Sequence, residues 1–317
     1  MISCTEFIPL YSEFFKYLDK RGGHDAVMQY WYYISDYSIG DKSNPNSLAS
    51  FIERDGPFLG AVHYWDHTLT EEACDLVKII DEKNQVMWDH MRHCPSRGML
   101  NALQHVDPYY DYCGHCNVIY ARVLNKYGME YEMDHSCIAN AECESLLYRT
   151  GHKPEREEYL KTEGKRVVDM KAEDNKYLHR DFHLLGDLAL KYCGEQFGDE
   201  AVEGFLRTYA EGYYAPQIEE FKKNGLPAVK AWFEKIYEIE EASDVLSTEL
   251  TEDRLTVTIA KCPVIEYMHS LGQQPTKYYI QETTTLYAAI AEYSGLGFEF
   301  EYHKEDGAAK FSFVKAE

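Results

Sequence analysis

The chain has no long hydrophobic run: no uninterrupted apolar stretch nears the roughly 18 residues that a spanning helix requires. It is also poor in cations. Lys and Arg together number 32 against 54 Asp and Glu, a formal net charge of −22, and a nucleic-acid or anionic-membrane surface needs clustered Lys and Arg to displace counterions. The first residues, Met1-Ile2-Ser3-Cys4-Thr5-Glu6, carry neither the basic region nor the apolar run of a signal peptide. Nine cysteines, an odd count, therefore read as thiols of a reducing compartment, and a cytoplasmic location is expected. A Gly-rich phosphate loop, a Gly-x-Ser-x-Gly elbow and a dinucleotide fingerprint are all missing, so neither ATP nor NAD chemistry is suggested and no organic cofactor is expected.

What the chain does have is a globular composition, 45% hydrophobic and 14% aromatic with 27 tyrosines. Phenols give buried area and a polar tip, which suits cores with wet pockets. The length, 317 residues, allows two domains of ordinary size.

An internal duplication accounts for that length. Cys94-Pro95 is matched by Cys262-Pro263, Pro108-Tyr109-Tyr110 by Pro275 and Tyr278-Tyr279, Tyr120-Ala121 by Tyr287-Ala288, and Tyr127-Gly128 by Tyr293-Ser294-Gly295. After these, Met129-Glu130-Tyr131-Glu132-Met133 and Phe298-Glu299-Phe300-Glu301-Tyr302 alternate apolar and acidic residues, the mark of a strand with one buried face. Upstream, Gly23-His24-Asp25-Ala26-Val27 pairs with Gly198-Asp199-Glu200-Ala201-Val202, and Asp55-Gly56-Pro57 with Asn224-Gly225-Leu226-Pro227. Before the second Cys-Pro, Leu255, Val257 and Ile259 alternate with threonines, and Val86, Met87 and Trp88 stand in the matching place of the first copy. Cys-Pro is thus expected to close a strand and open a helix, with Pro in the first turn.

The pattern predicts an α+β fold: two tandem copies of a unit in which N-terminal helices pack on a small antiparallel sheet. The boundaries read as residues 1–150 for the first copy, 151–174 for a polar linker and 175–317 for the second copy. Such a duplication can stand in for a homodimer, so monomer and homodimer are both open.

Thiols and imidazoles concentrate in one stretch. Cys94, Cys113, Cys116, Cys137 and Cys143 lie between His90 and Cys143, together with His90, His93, His105, His115 and His135. Thiolate and imidazole are what nucleophilic catalysis and soft-metal binding both need, whereas an isolated buried Cys is usually a small hydrophobe. Cys113-Gly114-His115-Cys116 has the spacing of a zinc or redox pair, but there is no second CxxC and no βαβ context to support either. Two His-x-x-x-His pairs, His63 with His67 and His179 with His183, would share a face if helical. Neither carries the Glu of a zinc-protease motif, and a polar helix face with one packed ring explains each. His183 precedes an amphipathic run, Leu184, Leu185, Leu188, Ala189 and Tyr192, that would turn it inward.

The layout of strand, Cys-Pro, helix, small polar site, helix, then Gly with alternating Glu resembles the L-2-amino-thiazoline-4-carboxylic acid hydrolase family. That family's acidic-small run ending in Cys-Asp-Phe is approached by Ile138-Ala139-Asn140-Ala141-Glu142-Cys143-Glu144. In the second copy it becomes Glu305-Asp306-Gly307-Ala308-Ala309-Lys310-Phe311, where Ala309 replaces the cysteine. The family's Phe-His is matched by Phe182-His183, and the Ile8 to Tyr11 region of the first copy has no histidine.

The resemblance implies hydrolysis of a small heterocyclic or amide-like carboxylate. Cys94, Cys143 and Cys262 are the expected thiols, and His115 or His183 the expected base. Tyr109, Tyr110, Tyr278, Tyr279 and Glu282 are expected to line the pocket. The alternatives are a small-molecule-binding or sensor protein without catalysis and a zinc-dependent hydrolase with metal-activated water. The partner expected is a small molecule, not nucleic acid or membrane.

Overall fold

The computed structural model describes residues 1–315. It is an α+β chain, 54% helical and 19% strand, so the sheets are small and helices supply most of the packing. Among the described residues no helix is long and apolar enough to cross a membrane.

In chain order the first helical segment, α1 (Cys4–Ile34), is interrupted at Gly22 and Gly23 and continues into a π-helical turn, Ser35–Ile39. Helices α2 (Leu48–Asp55) and α3 (Pro57–Glu71) lead into the hairpin β1 (Asp75–Asp81) and β2 (Val86–His93). Then come α4 (Pro95–Ala102), α5 (Gly114–Asn125), β3 (Met129–Asp134), β4 (Cys143–Arg149), the single turn α6 (Arg156–Tyr159) and β5 (Arg166–Met170). Four helices follow: α7 (Asp181–Phe197), α8 (Asp199–Tyr213), α9 (Ala215–Asn224) and α10 (Leu226–Ile239). The chain closes with β6 (Leu246–Leu250), β7 (Arg254–Ile259), α11 (Pro263–Ser270), a π-helical turn at Glu282–Leu286, α12 (Tyr287–Tyr293), β8 (Leu296–His303) and β9 (Ala309–Lys315).

The chain divides into two compact units, residues 18–179 and residues 1–17 with 180–317. This differs in two places from the boundaries read from sequence. Residues 1–17 belong with the C-terminal unit, because Phe7 stacks on Phe182 with ring centroids 4.7 Å apart and Tyr209 Oη donates to the Glu6 carbonyl at 2.9 Å. The stretch 151–174 is not a free linker. Its strand β5 adds to the edge of β1, pairing Leu76 with Met170 through Ile80 with Arg166. The polar composition that suggested a linker is that of an edge strand with one face in water.

All strand pairs are antiparallel. The sheet of unit 18–179 has the order β3-β4-β2-β1-β5, and that of the other unit β6-β7-β9-β8. Apart from β5, the order is the same in both: the second strand of each hairpin lies at the centre. In each unit the last rung between the central strand and its neighbour lies three residues before Cys-Pro, Met91 opposite Cys143 in one and Ile259 opposite Ala309 in the other. Cys94 and Cys262 occupy the N-cap positions, and Pro95 and Pro263 the first turns, of α4 and α11.

Each sheet has a helix-facing side and an opposite side. In unit 18–179, Ile79, Val86, Trp88, Leu146 and Tyr148 form a cluster joined by Tyr159 and Leu160 around α6. Side chains alternate along a strand, so Lys78, Met87, Asp89, Met91, Cys143, Ser145 and Leu147 point the other way. That side carries a second cluster of Cys74, Leu76 and Met91, packed by Leu69, Cys94 and Cys143. The C-terminal unit is aromatic at the same level: Phe233 packs on Tyr287, Phe311 and Phe313 at 5.2, 5.5 and 5.8 Å.

The helix junctions depend on glycine backbone. Gly56 between α2 and α3 has φ 84°, ψ 165°, and Gly225 between α9 and α10 has φ 63°, ψ −151°, a region almost closed to other residues. A Cβ at Gly56 would meet nothing within 4 Å, so its cost is conformational alone. Replacing Gly56 or Gly225 by Ala is expected to lower stability by about 1–3 kcal/mol each, read as a shift in the urea midpoint at unchanged slope.

Candidate functional site

The reactive groups of unit 18–179 converge where the helix-facing side of the sheet meets α4 and α5. Cys94 leaves β2 and caps α4: its N–H donates to the Ala141 carbonyl at 2.7 Å, and its Sγ accepts the Arg97 N–H at 3.4 Å. Cys143 opens β4 beside it, directly across from Met91. From α5 come Cys113, at its N-cap, and Cys116 and Tyr120 on its first two turns. Glu72, just past α3, and Asp89 on β2 complete the set.

Cys94, Cys113, Cys116, Cys143, Glu72 and Tyr120 all keep partial solvent access, yet each is strongly desolvated by surrounding protein. That combination belongs to the wall of a concave recess. The groups also sense one another's charge, with Cys116 influenced by Cys113, Cys94, Cys143 and Glu72.

Burial decides the protonation states. It pushes the Cys94 thiol up to about 12, although the thiol sits at a helix N-terminus that would favour thiolate. Cys113, Cys116 and Cys143 are raised for the same reason, so all four sulfurs are thiols at neutral pH. Burial likewise raises Glu72, and it raises Asp89 to about 6 despite the Ser145 hydroxyl that donates to it and the nearby Lys78. Lys78 lies opposite Asp89 in the β1–β2 ladder, is fully buried and pairs with Asp66.

His115 makes the contact with chemical meaning. Its Nδ1–H donates to the Tyr112 carbonyl, which leaves Nε2 as the lone-pair nitrogen, 3.5 Å from Cys116 Sγ. Burial lowers its pKa to about 4. Rings crowd around it: Tyr112 at 4.9 Å and Trp31 at 6.4 Å, with His24 5.6 Å from Trp31. Tyr109 is buried in this aromatic wall, its Oη 3.1 Å from His24 Nδ1. Tyr110 packs at a tilt against Tyr109, 4.6 Å between ring centroids, but is 68% exposed, so it belongs to the outer surface rather than to a pocket lining.

The second group of expected residues, His183, Cys262, Tyr278, Tyr279 and Glu282, lies in the other unit and is tightly packed. His183 Nε2 meets Glu240 Oε2 at 3.0 Å, and the Cys4 N–H donates to Glu240 Oε1 at 2.6 Å. Cys262 is 4% exposed, with Sγ 3.1 Å from Tyr279 Oη. Glu282 accepts the Ile2 N–H at 3.4 Å, and the Met1 nitrogen donates to Tyr287 Oη at 2.8 Å. Residues 1–4 thus lie inside this unit's polar centre, where the sequence suggested open space. Tyr278 does not face that centre: its hydroxyl donates to Asp199 at 2.7 Å and its ring fills the space over Gly194. A cleft in this unit is lined by Arg180, Lys261, Pro263, Glu266 and Tyr267; it takes in both chain neighbours of Cys262 but not Cys262 itself.

The paired histidines separate. His179 precedes α7, which starts at Asp181, so it shares no helix face with His183; its Nδ1 takes Glu71 Oε2 at 2.7 Å. His63 does lie on α3 with His67, and its Nδ1 is held by Asp55 at 2.8 Å. All nine cysteines are free thiols.

Comparison with known proteins finds no match for the chain among family models, curated proteins or solved structures. Sequence reasoning missed Cys116 as the partner of His115, and it missed Glu72, Asp89 and Glu240. The adjacent His115-Cys116 was the available signal; the carboxylates had none, since their burial is set by tertiary packing.

Glu240 gives a pH test. Burial alone would raise its pKa, but the charge and hydrogen bond of His183 and the Cys4 N–H outweigh burial and hold it at about 2. A carboxylate depressed in the folded state stabilises the protein above its unfolded pKa and loses that contribution as pH falls through the folded value. Stability should therefore drop between about pH 5 and pH 2, by on the order of 2–3 kcal/mol from this group. Denaturant unfolding of Glu240→Gln should lack that share of the acid limb; an acid limb unchanged from the parent would reject the assignment.

Proposed function

We propose that this chain is a hydrolase for a small heterocyclic or amide-like carboxylate, with its chemistry in the recess of unit 18–179. The observation that carries the reading is the contact between Cys116 Sγ and the lone-pair nitrogen of His115 in a desolvated recess that still reaches solvent. Cys94 and Cys143 form the wall beside it. In the resemblance-based assignment these two were the nucleophile candidates; neither has a histidine partner as close as the one that Cys116 has.

The chemistry follows from the protonation states. The thiol of Cys116 is neutral, so attack and deprotonation go together: Sγ bonds to the electrophilic carbon of a C=N or C(=O)–N group while its proton passes to His115 Nε2. The π electron pair moves to the heteroatom. The imidazolium, a strong acid because burial disfavours its charge, returns the proton to the departing nitrogen and the C–N bond breaks. Water, deprotonated by Nε2, then cleaves the S–C bond and the proton returns to Cys116. The backbone carbonyl of Tyr112 keeps the ring in the one tautomer that can do this.

We further propose that the two units are copies of one folding unit. The shared strand order, the equivalent Cys-Pro junctions and the matched glycine conformations at Gly56 and Gly225 support this. The C-terminal copy then acts as scaffold: Thr283 stands where the first copy has Cys116, Ala309 where it has Cys143, and Cys262 is sealed under Tyr279.

Hydrolysis of 2-amino-thiazoline-4-carboxylate by the parent protein, followed by loss of the ring absorbance, is the direct test. Cys116→Ala should lower kcat by about 10³-fold or more and His115→Gln by about 10²–10⁴-fold. Unchanged rates remove thiol catalysis; no turnover by the parent protein moves the reading to ligand binding without chemistry. The pH profile is a separate expectation. With His115 lowered to about 4, the neutral base persists throughout the neutral range, so kcat/KM should show no acid limb at pH 6–7 and fall only near pH 4. A limb at the ordinary histidine pKa would assign the base elsewhere.

A further inference from the structure

We infer that Arg97 is the anion anchor of the thiol recess: it receives the carboxylate of the ligand and so determines which small molecules reach Cys113 and Cys116. The inference rests on the recess being a ligand site but not on the hydrolytic step.

Arg97 lies on the first turn of α4, three residues after Cys94, to whose sulfur its own N–H donates at 3.4 Å. Its guanidinium is near enough to Cys113 to favour the thiolate there, against the effects of burial and of Asp111. The side chain is only partly accessible, and its Nε is buried with no hydrogen-bond partner. Among the described residues no carboxylate lies within ion-pair distance of it. Arg54, Arg92, Arg122, Arg156 and Arg254 by contrast each meet a carboxylate: Asp55, Asp75, Asp36, Glu144 and Glu299. Arg180 also has an unpartnered buried Nε, but its Nη2 donates to the Glu240 carbonyl at 2.8 Å.

Arg97 is thus a half-buried guanidinium with no acidic partner among the described residues, in a protein with 54 acidic side chains. An unmet buried donor costs free energy that an incoming acceptor recovers. The planar guanidinium offers parallel N–H donors that fit a carboxylate two-on-two, which an ammonium cannot do. Neutral groups in the recess complete the selection. Asn117 lies one helical turn after Cys113 on the same face of α5, and its buried Oδ1 accepts no hydrogen bond. Each is linked to Cys113, Arg97 by its charge and Asn117 by helical position, so a ligand that met both would bring a carboxylate for Arg97 and an N–H for Asn117, as a small nitrogen-heterocyclic or amino acid does. Glu72 and Asp89, the acids of the recess, make no ion pair with Arg97, so its charge stays available.

The test uses two alkylating probes of nearly equal size and different charge, iodoacetate and iodoacetamide, on the full chain. In both, the thiolate displaces iodide from the CH₂ carbon, so the ratio of the two rates at one sulfur reports the local preference for an anion. Exposed Cys137 is the internal reference, read by peptide mass spectrometry. In the parent protein the iodoacetate-to-iodoacetamide ratio at Cys113 and Cys116 should exceed that at Cys137 by about fivefold. Arg97→Gln should bring it down to the Cys137 value, and Arg97→Lys should retain most of it, with the Cys137 ratio unmoved in both. A parent ratio no higher than that at Cys137, or one that survives Arg97→Gln, overturns the anchor. A ratio that falls as expected while Cys116→Ala leaves turnover intact keeps the anchor and removes the hydrolytic mechanism.

Discussion

The tie between the Cys94 N–H and the Ala141 carbonyl, 2.7 Å long, fixes the geometry on which the recess depends. It joins the end of β2 to the approach to β4, so the cap of α4 and the first residue of β4 are held side by side. Two thiols distant in sequence thereby become neighbours on one wall. The C-terminal unit has the same device, with the Cys262 N–H donating to the Asp306 carbonyl at 3.2 Å. There the next residue is Gly307, whose Cβ would come within 2.2 Å of Cys262 Cβ. The same backbone tie thus closes on the sulfur in one unit and leaves it open in the other.

That difference sets the electrostatics. Removing an ionisable group from water penalises its charged form, and both units do this, but they resolve the penalty differently. In the C-terminal unit Glu240 stays ionised because His183 and the Cys4 N–H compensate it. In unit 18–179 burial outweighs the compensation that Glu72 receives from Ser96 and His179 and Cys94 from the Arg97 N–H, and these groups are pushed toward their neutral forms. The Glu240 carboxylate is thus matched by donors, whereas Arg97 Nε and Asn117 Oδ1 in the other unit keep unmet capacity.

Much of the fold was legible in the sequence because it rests on local rules. Alternation at Leu255, Val257 and Ile259 gave a strand with alternating burial, β7, and Cys-Pro marked a strand end and helix start in both places. What was not legible depends on long-range pairing. The edge strand β5 is polar and reads as a connector until β1 accepts it. Residues 1–17 carry nothing that says which unit they will join, since an amphipathic helix fits any apolar face of the right width. In the candidate site, the density of Cys and His pointed to the segment in which His115 Nε2 lies 3.5 Å from a sulfur. The sulfur beside His115 is that of Cys116 rather than of Cys94 or Cys143, a contact set by side-chain rotamers that the sequence does not encode.

The replacement of residues at equivalent sheet and helix positions separates what the fold needs from what it merely carries. Met91 faces Cys143 three residues before Cys94, and Ile259 faces Ala309 three residues before Cys262; alanine therefore satisfies the strand there, and the sulfur of Cys143 is not required by packing. If the two units are copies, as proposed, Glu282 and Thr283 stand where the first has His115 and Cys116, and the helix requires neither thiol nor imidazole. These side chains are desolvated yet partly open to solvent, near a guanidinium with no acidic partner. Their placement is intelligible as preparation for a molecule that brings the missing charge with it.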